Sequence, residues 1–215
     1  MTKAVTSPTE WRRRAALVVS APSGQFAAAS VSTALGESAA RGWSALDRDD
    51  DDASMREAVQ CRRFAWEQPD DVPGVLLGWD DDHPAEPVAR AHAPAQPYGD
   101  IGAAVAFLAR AFEEGGNVDD LDAAVELHDL VVALGEGVWL PANALVGWGA
   151  ALLYEITGED AFLATTERMA DVLCETQAPN GAWADGDEVL TGLAAETLVA
   201  MADAVEARAS VEEGE

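Results

Sequence analysis

The side chains of this chain that could do acid–base chemistry are mostly carboxylates. Asp and Glu number 39, against 13 Lys and Arg and three His. His83 and His92 stand nine residues apart and His128 lies farther on. No HxxxH or HExxH pair therefore presents two imidazoles to a metal from one helix face. Cys61 and Cys174 sit inside helical patterns with no CxxC and no His at ligand spacing, which reads as two buried, reduced thiols. The sequence has no GxGxxG or GxxxxGKS phosphate loop and no GxSxG nucleophile elbow. What remains is a mechanism without metal, nucleotide or other cofactor, in which acids, bases and pocket shape do the work.

Net charge limits the partners. At −26 the chain repels phosphate backbones and anionic membrane surfaces, so neither nucleic acid nor membrane is expected as a partner. Lys3 is the only lysine. Coding bias accounts for Arg in place of Lys but not for the excess of acid, which fits a surface kept hydrated at high salt. Arg12 to Arg14 precede an apolar run too short for a secretory signal, and no stretch is long enough to span a bilayer. A cytoplasmic location is the expectation.

The elements that must position any site are helices. Apolar residues recur at spacings of three and four. The clearest helix runs from Asn143 to Ile156, with Gly158 as its left-handed cap and Asp160 as N-cap of the next helix. The plan repeats. At a shift of 42, Phe112, Glu113, Gly116 and Leu121 fall on Tyr154, Glu155, Gly158 and Leu163. At a shift of 44, Gly137-Val138-Trp139 falls on Gly181-Ala182-Trp183, and Ala21 to Phe26 mirrors Ala178 to Trp183. A weaker copy starts at Gln68. The second helix of each pair is rich in small residues, as an inner layer needs for close approach, and the first carries more charge, as an outer layer would. These patterns predict an all-α domain over residues 1–215, built of about four outer–inner antiparallel hairpins, or eight helices. The first outer helix lies near Glu10 to Val19 and the last inner one spans Val189 to Ala207. Residues 69–98, with six prolines and Asp80-Asp81-Asp82, read as a long acidic loop, either a lid or a surface excursion. Residues from about 208 to 215 read as a disordered tail.

Gln177-Ala178-Pro179-Asn180-Gly181-Ala182-Trp183 resembles the QxxxGxW turn of the terpenoid cyclases, which share an α/α toroid with the protein prenyltransferase β subunits. The hairpin from Trp148 to Trp183 also resembles those of six-hairpin glycosidases and related epimerases and lyases. The resemblance implies a small or incomplete α/α barrel, because a full toroid has six hairpins. Its pocket would open where inner helices begin. On that logic Asp100, Asp185, Asp187 and Glu188 are the candidate acids and bases, and Tyr98, Trp139, Asn143, Trp148 and Trp183 the candidate substrate contacts. The same turn is a structural staple in the cyclases, a role open to Gln177, Trp183 and Trp139 here. Asp47-Arg48-Asp49-Asp50 spells the DxDD proton-donor motif of class II cyclases. It falls at the opposite rim, where a charge run capping the next helix is the simpler account.

Three functions follow as expectations. One is a cyclase- or isomerase-like enzyme on a small apolar substrate. Another is a carbohydrate-active epimerase, lyase or hydrolase. The third is a non-catalytic subunit, whose barrel a partner chain or second copy completes. Lining separates the first two: mostly apolar for a polyene, Trp with several carboxylates and Arg for a sugar.

Overall fold

The computed structural model describes residues 6–18, 32–69, 73–80, 83–93, 95–183 and 187–212. Eight α-helices and one β-hairpin make up the described chain, so it is mostly α, as the periodicity predicts. The helices are α1 (Pro8–Ala15), α2 (Ala34–Leu46), α3 (Asp51–Trp66), α4 (Tyr98–Gly115), α5 (Val118–Ala133), α6 (Ala144–Thr157), α7 (Asp160–Thr176) and α8 (Glu188–Glu212). Strands β1 (Val75–Asp80) and β2 (His83–Ala89) lie between α3 and α4.

The small-residue helices form one layer, packed in the order α2–α4–α6–α8. Missing side chains set their spacing. A Cβ on Gly102 of α4 would lie 2.4 Å from the backbone nitrogen of Val146 on α6, and one on Gly42 of α2 would enter the Phe107 ring of α4. A Cβ on Gly147 would meet Met169 of α7 and Met201 of α8. The helices therefore touch backbone to backbone or backbone to ring, and α4 is buried from Tyr98 to Ala109 without a break. The charged helices lie behind, α3 on α2, α5 on α4 and α7 on α6. The ends of the inner row, α2 and α8, do not pack on each other as the neighbours do. The described residues thus carry a two-layer row of hairpins and do not close it into a barrel.

Short turns reverse the chain from inner to outer helices. Gly116 and Gly158 both adopt left-handed φ (69° and 73°), and their N–H groups donate to Phe112 and Tyr154 O. The repeat at a shift of 42 is thus one cap used twice. Asp160 is the first residue of α7 rather than its cap. Glu159 takes the cap position, and its N–H donates to Thr157 Oγ1.

Other expectations change. Helix α1 packs on α8 and α7, not chiefly on α2. Trp11 is buried there, and the Arg12 guanidinium bridges Asp203 and Glu206. The first outer helix completes the last hairpin, a contact between chain ends that no local pattern encodes. Helix α2 starts at Ala34, because Thr33 Oγ1 accepts the Gly36 N–H as an N-cap. The earlier copy, Ala21 to Phe26, lies outside the described residues. In place of the loop expected over 69–98 there is an antiparallel hairpin, with Val75 opposite Ala89 and Trp79 opposite Pro84. Val75 and Leu77 are buried, and the Gln68 amide bonds both the N–H and the O of Leu76. At the far end α8 continues to Glu212, past the start of the expected tail.

His128 ties two outer helices together. Its Nε2 lies 3.1 Å from Thr165 Oγ1 of α7 and its ring meets Phe162 edge-on. Burial pushes its pKa below the ordinary 6.5, against the opposing pull of Asp129. A neutral imidazole is favoured by folding, so stability is held above pH 6.5 and falls as pH drops below it. As pH drops from 7.5 to 5.5 the urea midpoint of His128→Gln should gain on that of the wild type, since the variant lacks this one pH-linked loss. Gly102→Ala should lower stability by roughly 2–3 kcal/mol or more at neutral pH, since backbone must move to admit the methyl.

Candidate functional site

The rim where inner helices begin is joined by side chains that bond to backbone. Tyr98 is fully buried and its hydroxyl donates to Arg90 O and Ala93 O. Asp100, 2% exposed, accepts from Ser32 N at 2.9 Å and Thr33 Oγ1 at 2.7 Å, linking α4 to the cap of α2. Burial raises its pKa and those hydrogen bonds oppose the rise. Asn143 donates from Nδ2 to Val138 O at 3.0 Å. Trp183 donates from Nε1 to Leu173 O, and Gln177 Nε2 donates to Arg14 O and Gly181 O, each at 3.0 Å. Trp139 lies under the Arg168 guanidinium at 4.1 Å, and Arg168 also bridges Glu136. Asp187 Oδ1 accepts the Leu190 N–H at 2.8 Å, and Glu188 opens α8, both favourable beside the helix dipole. Asp185 lies outside the described residues.

The structure brings one of the expected contacts, Trp148, to a cleft, and that cleft lies toward the opposite rim. It encloses about 270 Å³ among Trp43, Leu46, Asp47, Arg110, Glu114, Trp148 and Leu152. Helices α2 and α4 supply it where they approach their C-terminal ends and α6 from its middle, and Asp47 comes from the turn after α2. Trp43 and Trp148 meet edge to face with centroids 4.7 Å apart. Arg110 reaches Glu114 at 3.1 Å and Glu113 at 3.2 Å. The DxDD run divides its work here, because Asp50 caps α3 by accepting the Ala53 N–H while Asp47 borders the cleft.

Sequence reasoning missed Trp43, Arg110 and Glu114. One signal was present. Gly42-Trp43 and Gly147-Trp148 repeat a Gly-Trp pair on two inner helices, where the Gly sets helix contact and the Trp lies beside it.

Cys61 and Cys174 are buried free thiols, each with its pKa raised by burial. Among the described residues no three His, Cys, Asp or Glu side chains cluster so as to hold a metal ion. No described helix is long and apolar enough to cross a membrane. No known protein-family model, curated protein or solved structure matches the chain.

The Gln177 bonds join α1 to the turn before α8. Gln177→Ala should lower stability by about 1–3 kcal/mol, as expected when two carbonyls lose their donor. Ligand binding at the Trp43–Trp148 cleft should be unchanged in the same variant, by thermal melts and titration together.

Proposed function

We propose that this chain is a carbohydrate-active protein that takes a small neutral sugar in the Trp43–Trp148 cleft. The observation that carries the reading is the lining: two Trp, two carboxylates and one guanidinium, with Leu46 and Leu152. Indole rings suit the C–H face of a pyranose, while Asp47, Glu114 and Arg110 offer the acceptors and donors that hydroxyls need. A volume near the ~300 Å³ lower end of ligand pockets suits a monosaccharide unit. A polyene would leave the charged side of this lining without partners. The net charge of −26 disfavours uronic or sulfated sugars.

Asp47 and Glu114 are the acid–base pair of this reading, the two carboxylates that border the cleft and that an epimerase, lyase or hydrolase would use. The indoles orient the ring, and Arg110 holds Glu114 from within the same helix.

Tryptophan fluorescence and NMR titration with neutral hexoses, N-acetylhexosamines and their disaccharides provide the test, with farnesol as the polyene. A saccharide should bind, and Trp148→Ala should weaken it about tenfold or more, the loss of roughly 1.4 kcal/mol or above. Asp47→Asn or Glu114→Gln should abolish its conversion while leaving binding within about threefold. Binding of farnesol alone would overturn the proposal in favour of an apolar cyclase-like site. Binding of neither would overturn it in favour of a non-catalytic subunit.

A further inference from the structure

Helix α3 carries a line of hydrocarbon on its outer face. Met55, Val59 and Trp66 are 64%, 38% and 52% exposed. Their spacings of four and seven place them on one side of the helix, away from the buried Ala58, Cys61 and Phe64. Three large apolar side chains in line on so charged a chain mark an interaction surface. A groove runs along each flank. The one toward α5 encloses about 320 Å³ and the one toward α2 and Trp79 about 530 Å³, and Val59 borders both. A ridge with a groove on either side is the shape against which a second helix packs.

Charge selects the partner. Arg41, Arg48, Arg56, Arg62 and Arg63 all fall within residues 41–63, five of the chain's 13 basic residues against six of its 39 acids. This segment is almost neutral in a chain of net charge −26, so it is where two copies repel each other least. Its charges are also sorted. Asp51 and Asp52 stand in the first turn of α3, and Arg62 and Arg63 near its end. Laid antiparallel, two such helices set acidic end against basic end at both ends, the self-complementarity that a two-fold contact requires. Arg62 and Arg63 already hold Asp120 and Glu67, and each guanidinium has donors to spare. Arg48, exposed in the turn ahead of α3, makes no ion pair among the described residues.

We propose that two copies of this chain pair through α3, antiparallel about a two-fold axis at the level of Glu57. In that register Met55 of each copy lies against Val59 of the other. Asp51 and Asp52 approach Arg62 and Arg63 of the second copy, and Trp66 receives the second copy's Arg48 on its ring face. The Trp43 and Trp148 indoles take no part, so pairing and saccharide binding are tested separately.

Sedimentation equilibrium at about 0.5 M sodium chloride, where repulsion between the acidic chains is screened, should show a reversible dimer. Val59→Asp and Trp66→Ala should each weaken it about tenfold or more, and Arg48→Ala severalfold. All three side chains are exposed, so the variants stay folded, and circular dichroism checks that they do. A mixture of Met55→Cys and Val59→Cys chains should cross-link through a short bismaleimide faster than either variant alone. It should also outpace Val118→Cys, which is 62% exposed on α5. Cys61 and Cys174 are buried and do not compete. A chain that stays monomeric up to about 1 mM would overturn the proposal. So would a dimer that Val59→Asp and Trp66→Ala leave intact, or equal cross-linking of Val118→Cys, which would mark random collision.

Discussion

Contact between α4 and α6 at Gly102 governs how much space the fold has inside it. With 2.4 Å separating a notional Cβ from the Val146 nitrogen, the two helices stand as close as backbones allow. Gly149 repeats the approach from the other side, where a Cβ would lie 2.9 Å from Gly102 O. Small residues then surround both helices, and Ala103, Ala104, Ala150 and Ala151 are all buried. A row this tight has little lumen. Space opens where α4 reaches Arg110 and Glu114 near its C-terminal end, beside Leu152 of α6.

The two rims are built from different interactions because their connections differ in length. Two residues join α4 to α5 and two join α6 to α7, so these turns close on a glycine cap and leave side chains free for the surface. The connections into α4, α6 and α8 are longer and expose more backbone. Carbonyls there are met by Tyr98, Asn143 and Gln177, and Trp183 reaches from the last of them to Leu173 O of α7. Unpaired buried carbonyls are costly, so long connections draw polar and aromatic side chains into service as donors. Ion pairs add a thinner layer on top. Arg12, Arg41, Arg63 and Arg110 each meet carboxylates at the surface, where such pairs contribute little individually and weaken in salt. Packing, more than charge, holds the rows together.

The sequence was most legible where structure is local. Helical periodicity, the caps at Gly116 and Gly158, and the division into small-residue and charged helices all survive in the structure. Legibility ended where partners are far apart. The docking of α1 on α8 depends on Trp11, Arg12 and the Gln177 bond to Arg14, separated by more than 160 residues. The hairpin at 75–89 was hidden because six prolines and an aspartate run outweigh a short Val-Leu-Leu signal. Its register is secured by Gln68 and by Trp79 tilted against Phe64 with centroids 4.9 Å apart, neither of which alternation reveals. The cleft was legible only as the Gly42-Trp43 and Gly147-Trp148 pair, which a search for turn-borne aromatics passes over because both lie within helices.

An aromatic residue near a rim can hold the chain or face a ligand, and its partners distinguish the two. Trp183 spends its single N–H on Leu173 O. Trp139 has one face occupied by Arg168, which Glu136 fixes in turn. Both are committed to contacts that hold an outer helix to the connection it covers, as the staple role implies. Trp43 and Trp148 instead meet each other across α2 and α6 and line the cleft together with Asp47 and Glu114. What they provide is an apolar surface beside Asp47 and Glu114, and it is that conjunction, rather than the aromatic count, on which the proposed sugar site rests.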